Sequence, residues 1–137
     1  MKHIKLPRPL VNRILVQAQS SPDKEICGLI SARDNEPLRC IPVANVAEQP
    51  EHLFTMDPAQ QIDAMRQMRE QGETLFAIYH SHPTESAEPS ATDLEQAGYP
   101  EALHLIVSLN TKGVLELRGY NFVGGEAEPV HLEVLED

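Results

Sequence analysis

Positive charge is what this chain has least of relative to its opposite: eleven Lys and Arg stand against twenty-one Asp and Glu over 137 residues, a net charge of −10. Affinity for nucleic acid rests mainly on Lys and Arg neutralising phosphates, so the balance argues against a phosphate-backbone partner. No basic run, P-loop or glycine-rich phosphate cradle offsets it. Long apolar runs are missing too, since no stretch approaches the roughly 20 apolar residues of a membrane-spanning helix. Lys2, Lys5 and Arg8 could open a secretory signal, but Asn12, Arg13, Gln17 and Gln19 interrupt the segment that follows. The expectation is therefore a cytoplasmic protein with no membrane partner. Cysteine is scarce as well. A small secreted domain would normally carry more than Cys27 and Cys40. Cys27, inside the apolar run Ile26 to Ile30, reads as a buried small hydrophobe. Cys40 falls in the next strand, a bridge between the two is the less favoured reading and needs those strands to pair, and neither has the Cys-x-x-Cys partner of a zinc ligand. With no internal repeat, low-complexity tract or linker, residues 1–137 read as one domain with one core.

What is present is an alternation of helical and strand patterns. Leu10, Val11, Ile14, Leu15 and Ala18 recur at helical spacing, predicting a helix from Pro9 to Ser20 with proline in its first turn. Ile26 to Ala32 and Leu38 to Val46 read as strands joined by a turn over Arg33 to Pro37. Ala47 to Met56 is polar, without clean periodicity, and reads as a surface loop. Asp57-Pro58 supplies an N-cap and proline at N1, with Gln60 at N3, for a second helix. Ile62, Met65 and Met68 are its expected buried stripe, and Gly72 its C′ residue. Leu75 to Tyr79 is an apolar strand. Leu103 to Leu109, Val114 to Tyr120 and the alternating Val130, Leu132 and Val134 are further strands, the first two joined by Asn110-Thr111-Lys112-Gly113. The fold class is α/β: a mixed, mostly antiparallel sheet with helices packed against it.

Chemistry concentrates at Tyr79-His80-Ser81-His82-Pro83, followed by Ser90-Ala91-Thr92-Asp93. On an extended backbone alternate side chains share a face, so His80 and His82 point the same way from a strand that Pro83 ends. Catalytic zinc takes three protein ligands, commonly His and carboxylate, and keeps a fourth position open. The two histidines can fill two positions and Asp93 a third. Each half also has a plainer reading. A His-x-His pair can be a half-exposed polar face, and Ser90-x-x-Asp93 can be a capping box opening a helix over Ala91 to Ala97. The loop Thr84 to Pro89 is short and polar, so it can fold back and bring Asp93 to the histidines. Of the other histidines, His104 and His131 read as satisfied or exposed strand residues. His3 has no assigned role, and His52 is at most a peripheral contact.

Glu25-Ile26-Cys27-Gly28-Leu29, His80-Ser81-His82-Pro83, Ser90 and Asp93 together resemble the signature of the JAMM metallopeptidases, or MPN-plus domains. That pattern is an upstream Glu, His-Ser/Thr-His-Pro, six residues, Ser, two residues and Asp. Thr84 to Pro89 are the six here and Ala91-Thr92 the two, so no position departs. The resemblance implies a cytidine-deaminase-like α/β fold, zinc held by His80, His82 and Asp93, Glu25 as general base and proton shuttle, and Ser90 as an oxyanion stabiliser. The chemistry is consistent with those roles: a carboxylate near a metal site can take a proton and return it to a leaving amine, and a hydroxyl at a helix start can donate to a developing oxyanion. It further implies hydrolysis of the peptide or isopeptide bond that follows a C-terminal Gly-Gly of a ubiquitin-like protein. One compact domain with no attached module is similar to the small prokaryotic members that process sulfur-carrier proteins. Two alternatives compete with this reading. Zinc nucleobase deamination needs His-x-Glu and Pro-Cys-x-x-Cys, whereas Ser81-His82 follows His80 here and no Cys-x-x-Cys exists. A non-catalytic MPN-type interaction scaffold typically lacks one of the five signature positions, and all five are present.

Overall fold

The computed structural model describes residues 2–95, 102–110 and 115–136. Along the chain β1 (His3–Pro7) leads into α1 (Arg8–Ser20) and the hairpin of β2 (Cys27–Arg33) and β3 (Glu36–Val43). Then come α2 (Pro58–Glu70), β4 (Thr74–His82), the short α3 (Ala91–Glu95), β5 (Leu103–Ser108), β6 (Glu116–Val123) and β7 (Glu126–Leu135). All seven strands lie in one sheet, ordered β1-β7-β6-β5-β4-β2-β3. The β1/β7 and β4/β5 pairs are parallel and the others antiparallel. The mixed, mostly antiparallel sheet read from the sequence is thus what forms.

Strand alternation divides the core between the sheet's two faces. On one face α1 buries Leu10, Val11, Ile14 and Ala18 against Ile30, Cys40, Ala77, Tyr79, Leu105 and Val107. On the other, Ala64 and Met68 of α2 pack on Cys27, Leu29, Val43 and Ile78. A third cluster on that face, beside α2, joins Ala87 to Ile106, Tyr120 and Phe122. His80 and His82 share the parity of Ile78, so both rings emerge on the α2 face. Cys27 and Cys40 are buried, free and in clusters on opposite faces, so they cannot meet.

Several local expectations need correction. β1 was not anticipated: its five residues are short and partly basic, and its partner lies at the far end of the sequence, with His3 opposite His131. The β2–β3 turn is tighter than read, with Asp34 and Asn35 both at positive φ, the two-residue geometry that matches strand twist. β3 accordingly starts at Glu36 and stops at Val43, after which only Asn45 bridges to Met56. Ile62 is 70 % exposed, because it sits about 200° around the helix from the buried Ala64. The α2 caps hold as read: the Asp57 carboxylate accepts from the amides of Ala59 and Gln60, and Gly72 takes φ +70. Residues 96 and 97 of the third predicted helix, and most of the 110–113 turn, lie outside the described residues.

Candidate functional site

The histidines leave the carboxyl end of β4, where Cys27 of β2 opposes His80 on one side and Ile106 and Ser108 of β5 oppose His80 and His82 on the other. Both rings are 1 % exposed. The loop after Pro83 does fold back. Ser108 Oγ donates to the Glu85 carbonyl (2.6 Å), Tyr120 Oη donates to the Ala87 carbonyl (2.9 Å), and Ala87 is buried beneath. At the loop's end Ser90 and Asp93 form a reciprocal capping box. The Asp93 amide donates to Ser90 Oγ (3.0 Å), and the Ser90 amide donates to Asp93 Oδ2 (2.9 Å). The plain capping reading and the metal reading are therefore not rivals, since the box aims the carboxylate. Asp93 Oδ2 stands 3.2 Å from Nε2 of His80 and 3.2 Å from Nε2 of His82, and those nitrogens are 3.1 Å apart.

This triangle has the chemistry of a metal centre. The Ser86 carbonyl lies 2.7 Å from His82 Nδ1. A carbonyl can only accept, so Nδ1 carries the proton and the Nε2 lone pair faces His80 and Asp93. Two ring nitrogens and a carboxylate oxygen so close need a proton or a cation between them. Ligands at about 2.0–2.1 Å around a tetrahedral zinc lie roughly 3.3 Å apart, near the spacings found here. The Glu25 carboxylate offers a further oxygen, and it and the two histidines present donor atoms all within 4.8 Å of one another. Asp93 makes the closer approach, its Oδ2 lying 3.2 Å from each ring nitrogen.

Electrostatics separates the two carboxylates. Burial acts on Asp93 to raise its pKa, but its close contact with both histidines and the bond from the Ser90 amide outweigh this and hold it well below the usual carboxylate range. Glu25 has no such compensation. It is 4 % exposed, its Oε1 lacks any hydrogen bond, and desolvation pushes its pKa from 4.5 to about 8, with Asp93 and Glu85 adding to the rise and His82 opposing it. Burial lowers His80, whereas at His82 the burial effect is overcome by Asp93 and the Ser86 carbonyl, and its pKa rises. Ser90 Oγ already accepts from the Asp93 amide, which leaves its hydroxyl proton to donate elsewhere.

All five residues singled out from the sequence, Glu25, His80, His82, Ser90 and Asp93, thus converge. The sequence reading missed their supports. Ser81 fixes the Glu25 segment, accepting from the Ile26 amide at Oγ (2.9 Å) and donating its own amide to the Ile26 carbonyl (3.0 Å). Segment 47–56 is more than a surface loop, since Phe54 stacks on His80 with centroids 4.4 Å apart. Ser108 and Tyr120 gave no sequence signal because their partners are backbone carbonyls. His104 stacks on Phe122, and His3 meets His131 at the sheet edge, both away from the cluster.

Comparison with known proteins adds three findings. Residues 7–119 match the family described as prokaryotic homologs of the JAB domain. The chain is 34 % identical over 127 residues to the CysO-cysteine peptidase of Mycobacterium tuberculosis, covering 90 % of this chain and 86 % of that one. It is also 34 % identical over 94 residues to the desampylase of Haloferax volcanii, with 66 % and 67 % covered. Among solved structures, a protein from Desulfitobacterium hafniense superposes with a TM-score of 0.85 at 29 % identity, covering 98 % of this chain and 94 % of that one.

Proposed function

Because this chain belongs to the family of prokaryotic homologs of the JAB domain, we propose that it is a zinc peptidase that cuts the bond following a C-terminal Gly-Gly of a ubiquitin-like or sulfur-carrier protein. The observation that carries the reading is the 3.1–3.2 Å triangle of His80 Nε2, His82 Nε2 and Asp93 Oδ2 beside a buried Glu25 whose Oε1 has no hydrogen bond. His80, His82 and Asp93 would hold the ion. When bound, zinc supplies a Lewis acid that polarises the scissile carbonyl and brings water toward ionisation near neutral pH.

The chain's own residues supply the remainder. Glu25 takes the proton from the attacking water on its carboxylate and returns it to the leaving nitrogen as the C–N bond breaks. Its burial keeps its proton affinity high, which suits a group that must both accept and donate. Ser90 donates its hydroxyl proton to the oxygen of the attacked carbonyl, where negative charge grows. Asp93 stays ionised beside the two histidines, with the Ser90 amide donating to its Oδ2, and keeps its place as a ligand rather than a base. Glu25 and both histidines are nearly inaccessible, so the residues flanking the scissile bond must be narrow. Glycine meets that requirement, and an extended tail can be held through backbone hydrogen bonds in the manner of strand addition.

The relatives carry names of matching chemistry, one a CysO-cysteine peptidase and one a desampylase. Release of cysteine from a carrier-protein adduct is the leading assignment, and ubiquitin-like isopeptide cleavage the second. The test is to incubate zinc-loaded protein with a carrier ending in Gly-Gly-Cys, and with a Gly-Gly isopeptide conjugate, following mass. Controls are Glu25→Gln and a carrier with Gly→Val at the penultimate glycine. The Glu25→Gln protein should keep its zinc and lose about 10²–10⁴-fold in rate. His80→Ala and Asp93→Ala should lose stoichiometric zinc by elemental analysis. Cleavage of an unrelated peptide but of neither Gly-Gly substrate would overturn the substrate class, and full zinc in both alanine variants would overturn the ligand set.

A further inference from the structure

Asn45 lies just past the end of β3 and is half-buried. Its carboxamide has two N–H donors and two acceptor lone pairs, and all four are used. Nδ2 donates to the carbonyls of Glu25 (2.9 Å) and Leu53 (2.9 Å), while Oδ1 accepts from the amides of Ala47 (3.0 Å) and Thr55 (2.9 Å). Two of these partners, Leu53 and Thr55, flank Phe54, whose ring stacks on His80. A third is the backbone of Glu25, whose own amide is tied into the same segment by a 2.7 Å bond to the Pro50 carbonyl. One side chain thus connects the carboxylate that approaches the histidines from just before β2 with the ring that covers one of them.

We propose that Asn45 is a positioning residue: through its saturated carboxamide it sets where Glu25 and Phe54 stand relative to the histidine pair, and so governs the rate of the proton transfers assigned to Glu25. The argument is geometric. Glu25 precedes β2, so no regular ladder bond fixes its carbonyl, and its side chain has no hydrogen bond at Oε1 to fix it either. Its placement therefore depends on the backbone bonds to Asn45 and Pro50 and, one residue on, those of Ile26 with Ser81. His80, His82 and Asp93 are held by β4, Ser86 and the Ser90 capping box, none of which involves Asn45. Loss of Asn45 should thus spare the metal ligands and displace the base.

The inference rests on the peptidase reading above, and the experiment keeps the two apart. Asn45→Ala and Asn45→Asp are made in wild-type and Glu25→Gln backgrounds, the Asp variant retaining both acceptors while losing both donors. Zinc content should stay stoichiometric and KM should stay within about twofold. kcat should fall by roughly 10–100-fold, the scale on which an ångström of misplacement acts. In the Glu25→Gln background the Asn45 substitutions should add little further loss, because the group they misplace is already disabled. Amide exchange in the metal-free protein should show lost protection at Glu25, Ala47 and Thr55 with Leu29 and Ile30 unchanged. An unchanged kcat, or equal losses in both backgrounds, overturns the proposal. If wild-type protein cuts no Gly-Gly substrate the peptidase reading fails, and unchanged protection at Glu25 in the Asn45 variants then overturns the positioning role on its own.

Discussion

Gly28→Ala tests the packing on which the catalytic strands depend. An added Cβ at Gly28 would stand 2.2 Å from Tyr79 Oη, 2.4 Å from Cζ and 2.6 Å from Cε2. The backbone there is ordinary strand, so the obstacle is contact and not φ. The Tyr79 ring has nowhere to go. It is fully buried, its hydroxyl donates to Gln17 Oε1 at 2.5 Å, and it accepts from the Cys40 thiol at 3.2 Å. Forcing an extra methyl into a packed core costs about 1–3 kcal/mol. Displacing the hydroxyl from Gln17 adds roughly 1–3 kcal/mol for buried groups left unsatisfied. Alanine's better conformational entropy in a strand returns about 0.5–1 kcal/mol. The net loss is roughly 1–5.5 kcal/mol. At roughly 3–4 °C per kcal/mol for a chain of this size, Tm should fall by about 5–20 °C. The assay is urea unfolding of both proteins with the m-value compared, repeated in a Tyr79→Val background, where the added methyl has room and should cost nothing. A Gly28→Ala protein within about 0.5 kcal/mol of wild type, or the same loss in both backgrounds, refutes the reasoning.

The pKa of Glu25, raised from 4.5 to about 8, carries its own signature in metal-free protein. Between those values the folded state holds a proton that the unfolded state has lost, so stability falls as pH rises from about 4.5 through 8 and then levels. Glu25→Gln removes that slope, and the variant should match wild type near pH 4.5 and exceed it near pH 9; parallel urea-midpoint profiles would count against the burial argument. The two thiols offer a simpler check. Burial pushes Cys27 up to about 12 and raises Cys40 as well, and they occupy opposite faces of the sheet. Both should escape a thiol reagent in native protein and titrate only in denaturant, whereas a single disulfide by mass would contradict the topology.

Four of the five candidate site residues were legible because the information that places them is local, whereas Glu25, held by Asn45, Pro50 and Ser81, stood out only through the family resemblance. Strand parity alone puts His80 and His82 on one face, and the Ser90-x-x-Asp93 spacing builds its own capping box. Fold class followed from the same periodicities. What escaped was whatever depends on distant backbone. β1 is recognisable as a strand only once β7 lies beside it, and Asn45 looks like any loop asparagine until its four partners are known. Ser108 and Tyr120 read as ordinary strand residues because a hydroxyl bonded to a carbonyl leaves no pattern in sequence. Ile62 misled for a different reason: the helix offers two overlapping stripes, and the sheet edge covers the one through Ala64 and Met68.

The anchoring of segment 84–90 by Ser108 and Tyr120 also fixes an order of events. His80, His82 and Asp93 all precede β5, yet the segment that carries Asp93 to the histidines is fastened by Ser108 and Tyr120, on strands that follow it, as well as by His82 through the Ser86 carbonyl. Non-local pairings of this kind form late, after the loop-closure entropy has been met by the sheet itself. On the proposed ligand set an ion would therefore join a finished structure rather than nucleate one, unlike small zinc domains whose folding waits on metal. On dilution from denaturant, metal uptake should keep step with the slowest sheet-forming phase, and added zinc should leave that rate unchanged.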